Sequence, residues 1–200
     1  MNTPLLRELI GNTDIYLLDQ ILKNRYAATD KILDAGAGSG RNLHWFIQNG
    51  ISAFGTDRDP QAVEELKRRY PAVPEDHFLV APMEKMPFEN DFFDHVLCCA
   101  VLHFAENPAH FEAMFAEMIR VLKPGGSMFL RVATDIGIAE KMQPLGNGRY
   151  TMPDGTDRFL LTRNLLDRTV DQHALAWLEP MKFVNVNDLR SMTVLVLQKT

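Results

Sequence analysis

Cysteine is scarce in this chain: there are two in 200 residues, adjacent at Cys98 and Cys99. An adjacent pair cannot build an ordinary disulfide framework, which excludes a stapled mini-protein and makes a reducing cytoplasm the expected compartment. Long apolar runs are missing as well. The longest, Val96 to Leu102, is far short of the ~20 residues that cross a bilayer, so no membrane insertion is expected. The opening MNTPLLRELI has no basic start followed by a long apolar core, so no secretory leader is expected. Positive charge is not in excess: 21 basic and 26 acidic side chains leave a net charge of −5. Such a chain has no general attraction to phosphate backbones or anionic lipid, and nucleic acid is not an expected partner. Histidine and cysteine do not recur at ligand spacing, so no metal site is expected. There is no internal repeat and no low-complexity tract.

What is present is ordinary globular material, 46% apolar and 24% charged. The length fits one domain over residues 1–200 with a sizeable core. Residues 1–28 carry leucine and isoleucine at helical spacing, which predicts one or two amphipathic helices. From Lys31 the pattern alternates. KILDA reads as a strand, and a helix follows from about Gly40 to Gln48. ISAFGTD (51–57) is a strand and PQAVEELKRRY (60–70) a helix with Pro60 in its first turn. DHFLVA (76–81) and the apolar part of 87–104 are strands. PAHFEAMFAEMIRVL (108–122) is a helix stopped by Lys123-Pro124-Gly125-Gly126, and SMFLRVA (127–133) is a fifth strand. The strands are too apolar to have a wet face, which predicts an α/β, doubly wound, mostly parallel sheet. Residues 134–160 hold six glycines and prolines and read as a long loop. A short helix over 162–170 and a C-terminal antiparallel hairpin (MKFVNVNDL, SMTVLVLQK) complete a seven-stranded sheet.

Asp34-Ala35-Gly36-Ala37-Gly38-Ser39-Gly40 lies between the first strand and the first helix of that alternation. Glycine allows a sharp turn and a close ligand approach, and a helix N-terminus beyond it would offer free N–H groups. Asp57 ends the second strand, where a carboxylate can accept both ribose hydroxyls. A nucleoside-containing cofactor is therefore expected. The dinucleotide fingerprint G-x-G-x-x-G fails here: counted from Gly36 it needs glycine at Arg41, and counted from Gly38 at Leu43. That argues against an NAD-dependent oxidoreductase. An amino acid end beside the loop suits Asp34, which can hold the loop or meet an ammonium group.

LDAGAGSGRN, FGTDRDPQAV, MPFENDFFDHVLCCAVLHF and LKPGG, in that order, resemble the class I S-adenosylmethionine-dependent methyltransferases across residues 31–133. GRN followed by NG is similar to the small tellurite-resistance and ubiquinone-biosynthesis-like type. The resemblance implies a Rossmann-like methyltransferase fold and S-adenosyl-L-methionine as cofactor, with S-adenosyl-L-homocysteine as product. It implies that Asp34, Gly36, Ala37, Gly38 and Gly40 serve the methionine and ribose part, Asp57 the ribose, Arg58, Met83 and Glu84 the adenine, and the Ala100 backbone the methionine moiety. Pro82 stands where many relatives carry an aspartate for the adenine amino group. The expected activity is in-line methyl transfer to a small-molecule acceptor. The alternatives are a protein acceptor or a non-catalytic cofactor-binding regulatory subunit. No Asn-Pro-Pro-Tyr or Asp-Pro-Pro-Tyr follows the fourth strand, as nucleic-acid methylation would suggest. His103, Arg131 and Tyr150 are the catalytic or acceptor-side candidates, with Arg163 beside them, and 134–160 is the expected acceptor wall. Cys98 and Cys99 should face opposite sides of the sheet as buried small hydrophobes. The oligomeric state is not encoded legibly.

Overall fold

A computed structural model describes residues 3–200, with side chains from residue 5 onward; the first two residues of the expected N-terminal segment lie outside the described residues. Helices α1 (Thr3–Ile10) and α2 (Ile15–Leu22) precede the sheet. Strands β1 (Lys31–Ala35), β2 (Ser52–Asp57), β3 (Phe78–Val80), β4 (Phe93–Cys99) and β5 (Leu122–Ala133) then alternate with α3 (His44–Gln48), α4 (Pro60–Arg69) and α5 (Pro108–Val121). Helix α3 begins four residues later than the sequence pattern suggests, because residues 36–43 are spent in turns. Asp59 caps α4, accepting from the Gln61 N–H at 2.9 Å ahead of Pro60, which satisfies one of the donors that a helix start leaves open.

Residues 134–160 are not one long loop. They contain β6 (Gln143–Gly146), β7 (Arg149–Thr151) and β8 (Asp157–Phe159), a small antiparallel sheet in that order. Gly148 and Gly155 sit in its connections and Gly146 ends β6, and each strand is too short to show a clear alternation. Helix α6 (Arg163–Gln172), β9 (Leu175–Trp177), β10 (Lys182–Val186) and β11 (Arg190–Lys199) follow. The main sheet has eight strands: the seven expected run β10-β11-β5-β4-β1-β2-β3, and β9 is the eighth. Strand β9, which the sequence did not suggest, pairs with the half of β11 that β10 leaves free.

Strands β1 to β5 are mutually parallel, and β11 is antiparallel to β5. All five carboxyl ends therefore lie on one edge, and the start of β11 and the end of β10 arrive at the same edge. The chain lays β2 and β3 on one side of β1 and β4 and β5 on the other. The order reverses between β1 and β4, where open α/β sheets leave a crevice. Alternate residues feed two cores. Leu33, Val96 and Cys98 pack on the α5 and α6 side, while Ile32, Leu97 and Cys99 pack on the side of α2, α3 and α4. The two cysteines thus face opposite layers as small buried groups. Phe46, Phe78, Phe93, Phe111, Phe115 and Phe129 fill these layers, each worth roughly 1.5–3 kcal/mol of apolar transfer.

The Lys-Pro-Gly-Gly turn is built into β5. Phe93 pairs with Leu122 and His95 with Ser127, so residues 123–126 stand opposite Asp94 alone. A Cβ at Gly126 would lie 2.7 Å from the Asp94 carbonyl oxygen, so the bulge needs glycine there.

The N-terminal helices are pinned to the site edge through Asp14. Its carboxylate caps α2 by accepting from the Tyr16 N–H at 3.0 Å, and it also accepts from Arg131 on β5. Its own N–H donates to Asn42 Oδ1 at 3.1 Å, and Arg41 lies 3.7 Å away. The Asp14 side chain is buried, so its charge matters more than that of a surface ion pair. Asp14→Asn is expected to lower stability by about 2–3 kcal/mol, discounted for the partial exposure of Arg131. Urea unfolding checks this; a loss under about 0.5 kcal/mol, the size of an exposed pair, would refute the clamp.

Candidate functional site

The turn after β1 is held by the end of β2. The Thr56 carbonyl accepts from the N–H groups of both Gly36 and Ala37, each at 2.8 Å. Asp57 Oδ2 accepts from the Gly38 N–H at 2.8 Å, and Asp57 Oδ1 from the Asp59 N–H at 3.0 Å. The N–H groups of Gly36, Ala37 and Gly38 are therefore already used, and they are not part of an open anion cradle such as a helix starting at Gly40 would give. The three glycines have separate reasons. Gly36 has φ +80 and lines a cavity, and a Cβ there would lie 2.4 Å from Val101 Cγ2. Gly38 has φ +53 and open space beside it. Gly40 has φ +74, and a Cβ there would lie 2.3 Å from Leu66 of α4, so it permits helix packing rather than facing the cavity. Ala37 is buried in the core beneath the loop.

The cavity, about 350 Å3, opens between the ends of β1, β2, β3 and β4. Of the expected cofactor residues, Gly36, Asp57, Arg58, Met83, Glu84 and Ala100 line it. Pro82, Cys99, Glu106 and His110 also line it, and His110 approaches Glu84 at 3.5 Å. The β3–β4 connection that carries Met83 and Glu84 is fixed by α5. Glu117 accepts from the Met86 N–H at 2.6 Å, and Arg120 donates to the carbonyls of Met86 and Phe88 at 3.0 and 2.8 Å. Ala100 has φ +64, a conformation that residues with a Cβ avoid. It holds its N–H on the Arg131 carbonyl at 2.8 Å and turns the chain between two cavities.

Asp34 lies under the loop, 1% exposed, and neither carboxylate oxygen has a hydrogen-bond partner. Burial raises its pKa to about 7, with Arg41 opposing and Asp57 adding to the rise. Burial also pushes the Cys98 thiol up to about 12 and Cys99 well above its usual value, so both stay protonated.

A second cavity, about 370 Å3, shares Ala100 and Phe104 with the first. His103 and Arg131 line it, together with Ala133, Met152, Asp154, Thr156, Arg158 and the start of β11 at Arg190, Ser191 and Met192. His103 is buried, its Nδ1 is unpartnered, and burial, with the Arg158 charge nearby, lowers its pKa to about 4. Arg131 is committed to Asp14 through Nη1, while its buried Nε has no partner. Tyr150 does not line either cavity; it packs on the cluster of Ala133, Ile138, Met152 and Leu160. Its neighbours Met152, Asp154, Thr156 and Arg158 reach the cavity instead. Arg149 donates to the Ala105 carbonyl at 3.0 Å, and Arg163 pairs with Asp167 on exposed α6; both are structural. Arg158 and Arg190 gave no signal in the sequence, because only the small sheet and the hairpin turn bring them to this edge. Among the described residues, no helix is long and apolar enough to cross a membrane, and no three His, Cys, Asp or Glu side chains group for a metal ion.

The family model described as a methyltransferase domain matches residues 33–130. An uncharacterized methyltransferase of Mycobacterium tuberculosis is 30% identical over 104 residues, which are 52% of this chain and 40% of that protein. A second, from Synechocystis, is 32% identical over 96 residues, 48% of this chain and 43% of that protein. The matches thus span less than half the length of these two curated relatives. Among solved structures, the 1,6-didemethyltoxoflavin-N1-methyltransferase of Burkholderia thailandensis, with bound 1,6-didemethyltoxoflavin and S-adenosylhomocysteine, has a TM-score of 0.70 at 20% identity. The match covers 96% of this chain and 79% of that one.

Asp34 binds a proton in the folded state between pH 4 and 7, where the unfolded chain has released it. Folding stability therefore falls as pH rises across that window. Asp34→Asn is expected to remove this slope and to make the ligand-free protein more stable than the parent at pH 7.5. Urea midpoints measured from pH 4.5 to 8 check this, and parallel curves for the two proteins would exclude the buried, unpartnered carboxylate.

Proposed function

The chain carries a methyltransferase domain of the class I S-adenosylmethionine-dependent family, and from that premise we propose that it transfers the methyl group of S-adenosyl-L-methionine to a small-molecule acceptor. The observation that carries this reading is the meeting of the two cavities at Ala100 and Phe104: one has the residues for an adenosyl cofactor, and the other is a polar chamber of small-molecule size.

The residues of the first cavity fit the cofactor. Asp34 lies beneath the loop and outside the cavity lining, with both oxygens buried and unpartnered, so it stands behind the wall that faces the methionine end. Each Asp57 oxygen uses one acceptor position within the protein and keeps another for a ribose hydroxyl. Gly36 and the Ala100 backbone would flank the methionine moiety, with Gly38 beside the loop opening, and Arg58, Met83 and Glu84 would surround the adenine. Pro82 cannot donate or accept through its side chain, which leaves Glu84 or a backbone carbonyl for the adenine amino group. Gly40 and Ala37 act from beneath, by letting α4 and the core pack against the loop.

When bound, the cofactor supplies a sulfonium methyl whose leaving group is a neutral thioether. The protein's task is then mainly alignment and exclusion of water. Val101, Phe104 and Met114 supply an apolar wall. His103, held neutral by burial, offers a ring nitrogen to orient an acceptor O–H or N–H. The small sheet over 143–159 and the β10–β11 turn form the outer wall of the chamber. Within this reading the chain acts as one domain in a cytoplasmic setting.

Calorimetric titration of one sample with S-adenosylmethionine, S-adenosylhomocysteine and NAD tests the reading. The first two are expected to bind and NAD is not. Asp57→Ala should weaken both by at least about tenfold, the scale of losing charge-assisted hydrogen bonds. Binding of NAD alone, or full affinity in Asp57→Ala, would overturn it.

A further inference from the structure

The second cavity concentrates unmet polar demand. Among the described residues, six buried side-chain atoms have no hydrogen-bond partner: two belong to Asp34, and three of the remaining four (His103 Nδ1, Arg131 Nε and Ser191 Oγ) come from residues that line this one chamber. Ser191 is fully buried and His103 is 6% exposed. Buried polar groups are nearly always paired in folded proteins; these three atoms have almost no accessible surface of their own, so they sit within the chamber's wall and mark that wall as polar. Two of the three orphans can donate, through Ser191 O–H and Arg131 Nε–H, and an imidazole nitrogen can do either.

Charge at the mouth points the same way. Arg158 and Arg190 line the chamber, and neither forms an ion pair among the described residues. Arg158 lies over the Phe104 ring at 5.0 Å and spends one donor on the neighbouring Asp157 carbonyl at 2.9 Å. One carboxylate stands with them: Asp154, which accepts from the Thr156 N–H at 3.0 Å and from its Oγ1 at 2.6 Å. Arg131 is already neutralised by Asp14. Two unpaired guanidinium groups against one carboxylate leave an excess of about one positive charge, which suits a monoanion better than a dianionic phosphate.

Resting on the methyltransferase reading above, we propose that the methyl acceptor is a small organic acid whose carboxylate is held at the chamber mouth by Arg158 and Arg190. The planar fork of arginine matches a carboxylate. The apolar lining from Phe104, Met152 and Met192 takes the body of the molecule.

The test is binding of benzoate, phenylacetate, octanoate, their primary amides and phenyl phosphate to protein saturated with S-adenosylhomocysteine, read by calorimetry. At least one acid is expected to bind tenfold or more tightly than its amide, and more tightly than phenyl phosphate. Arg190→Gln and Arg158→Gln should each weaken that acid by about tenfold, leaving S-adenosylhomocysteine affinity unchanged. Equal binding of acids and amides, tighter binding of phenyl phosphate, unchanged acid affinity in both arginine variants, or no acid bound at all would overturn the proposal while leaving the cofactor site standing. Failure of S-adenosylhomocysteine itself to bind would instead remove the methyltransferase reading on which it rests.

Discussion

The Thr56 carbonyl and the Asp57 carboxylate reach across from the end of β2 and take three successive N–H groups of the loop after β1. This join fixes the glycine turn before any ligand arrives. A loop of this composition would otherwise carry a large conformational entropy into the bound state, since glycine loses the most freedom on ordering. With the turn already formed, the cavity wall at Gly36 exists in the ligand-free protein, and Asp57 faces it with acceptor positions to spare. Gly40 completes the support by letting Leu66 of α4 close against the back of the loop. The site is therefore largely a consequence of how two parallel strands end side by side.

The same edge explains why both cavities lie where they do. Five parallel strands bring their carboxyl ends together, and the antiparallel β11 delivers its first residues, Arg190 and Ser191, to the same edge. The chamber wall is then completed by a small sheet tied to the hairpin turn: Lys141 pairs with Asp188 at 2.6 Å, and the Asp154 N–H donates to the Leu189 carbonyl at 3.3 Å. A buried proton on Asp34 and a neutral His103 follow from desolvation on either side of Ala100. Both are titratable groups that desolvation holds in the uncharged form, one beneath the glycine loop and the other in the wall of the second cavity.

The alternation of apolar runs from Lys31 to Ala133 carried the sheet, because strands buried on both faces write themselves as continuous apolar segments. Asp57, Met83, Glu84 and Ala100 were legible through motif position, and each lines the first cavity. Gly40 and Ala37 were assigned by their motif alone, and packing against Leu66 and the core gives them another reason to be small. The acceptor side was far less legible. Tyr150 and Arg158 pair across the small sheet and so share a face, yet only Arg158 lines the chamber, and no local sequence pattern announces that pairing. Arg131 was placed on the correct edge, but its commitment to Asp14 depends on a contact 117 positions away in sequence, which no local pattern reveals.

The most direct test of the preformed loop is amide hydrogen exchange on the ligand-free protein, followed at Gly36, Ala37 and Gly38. The account predicts strong protection of all three before cofactor is added, and only a small further slowing on adding S-adenosylhomocysteine. Fast exchange that becomes slow only with ligand would contradict it, because the turn would then be built by the ligand rather than by the end of β2.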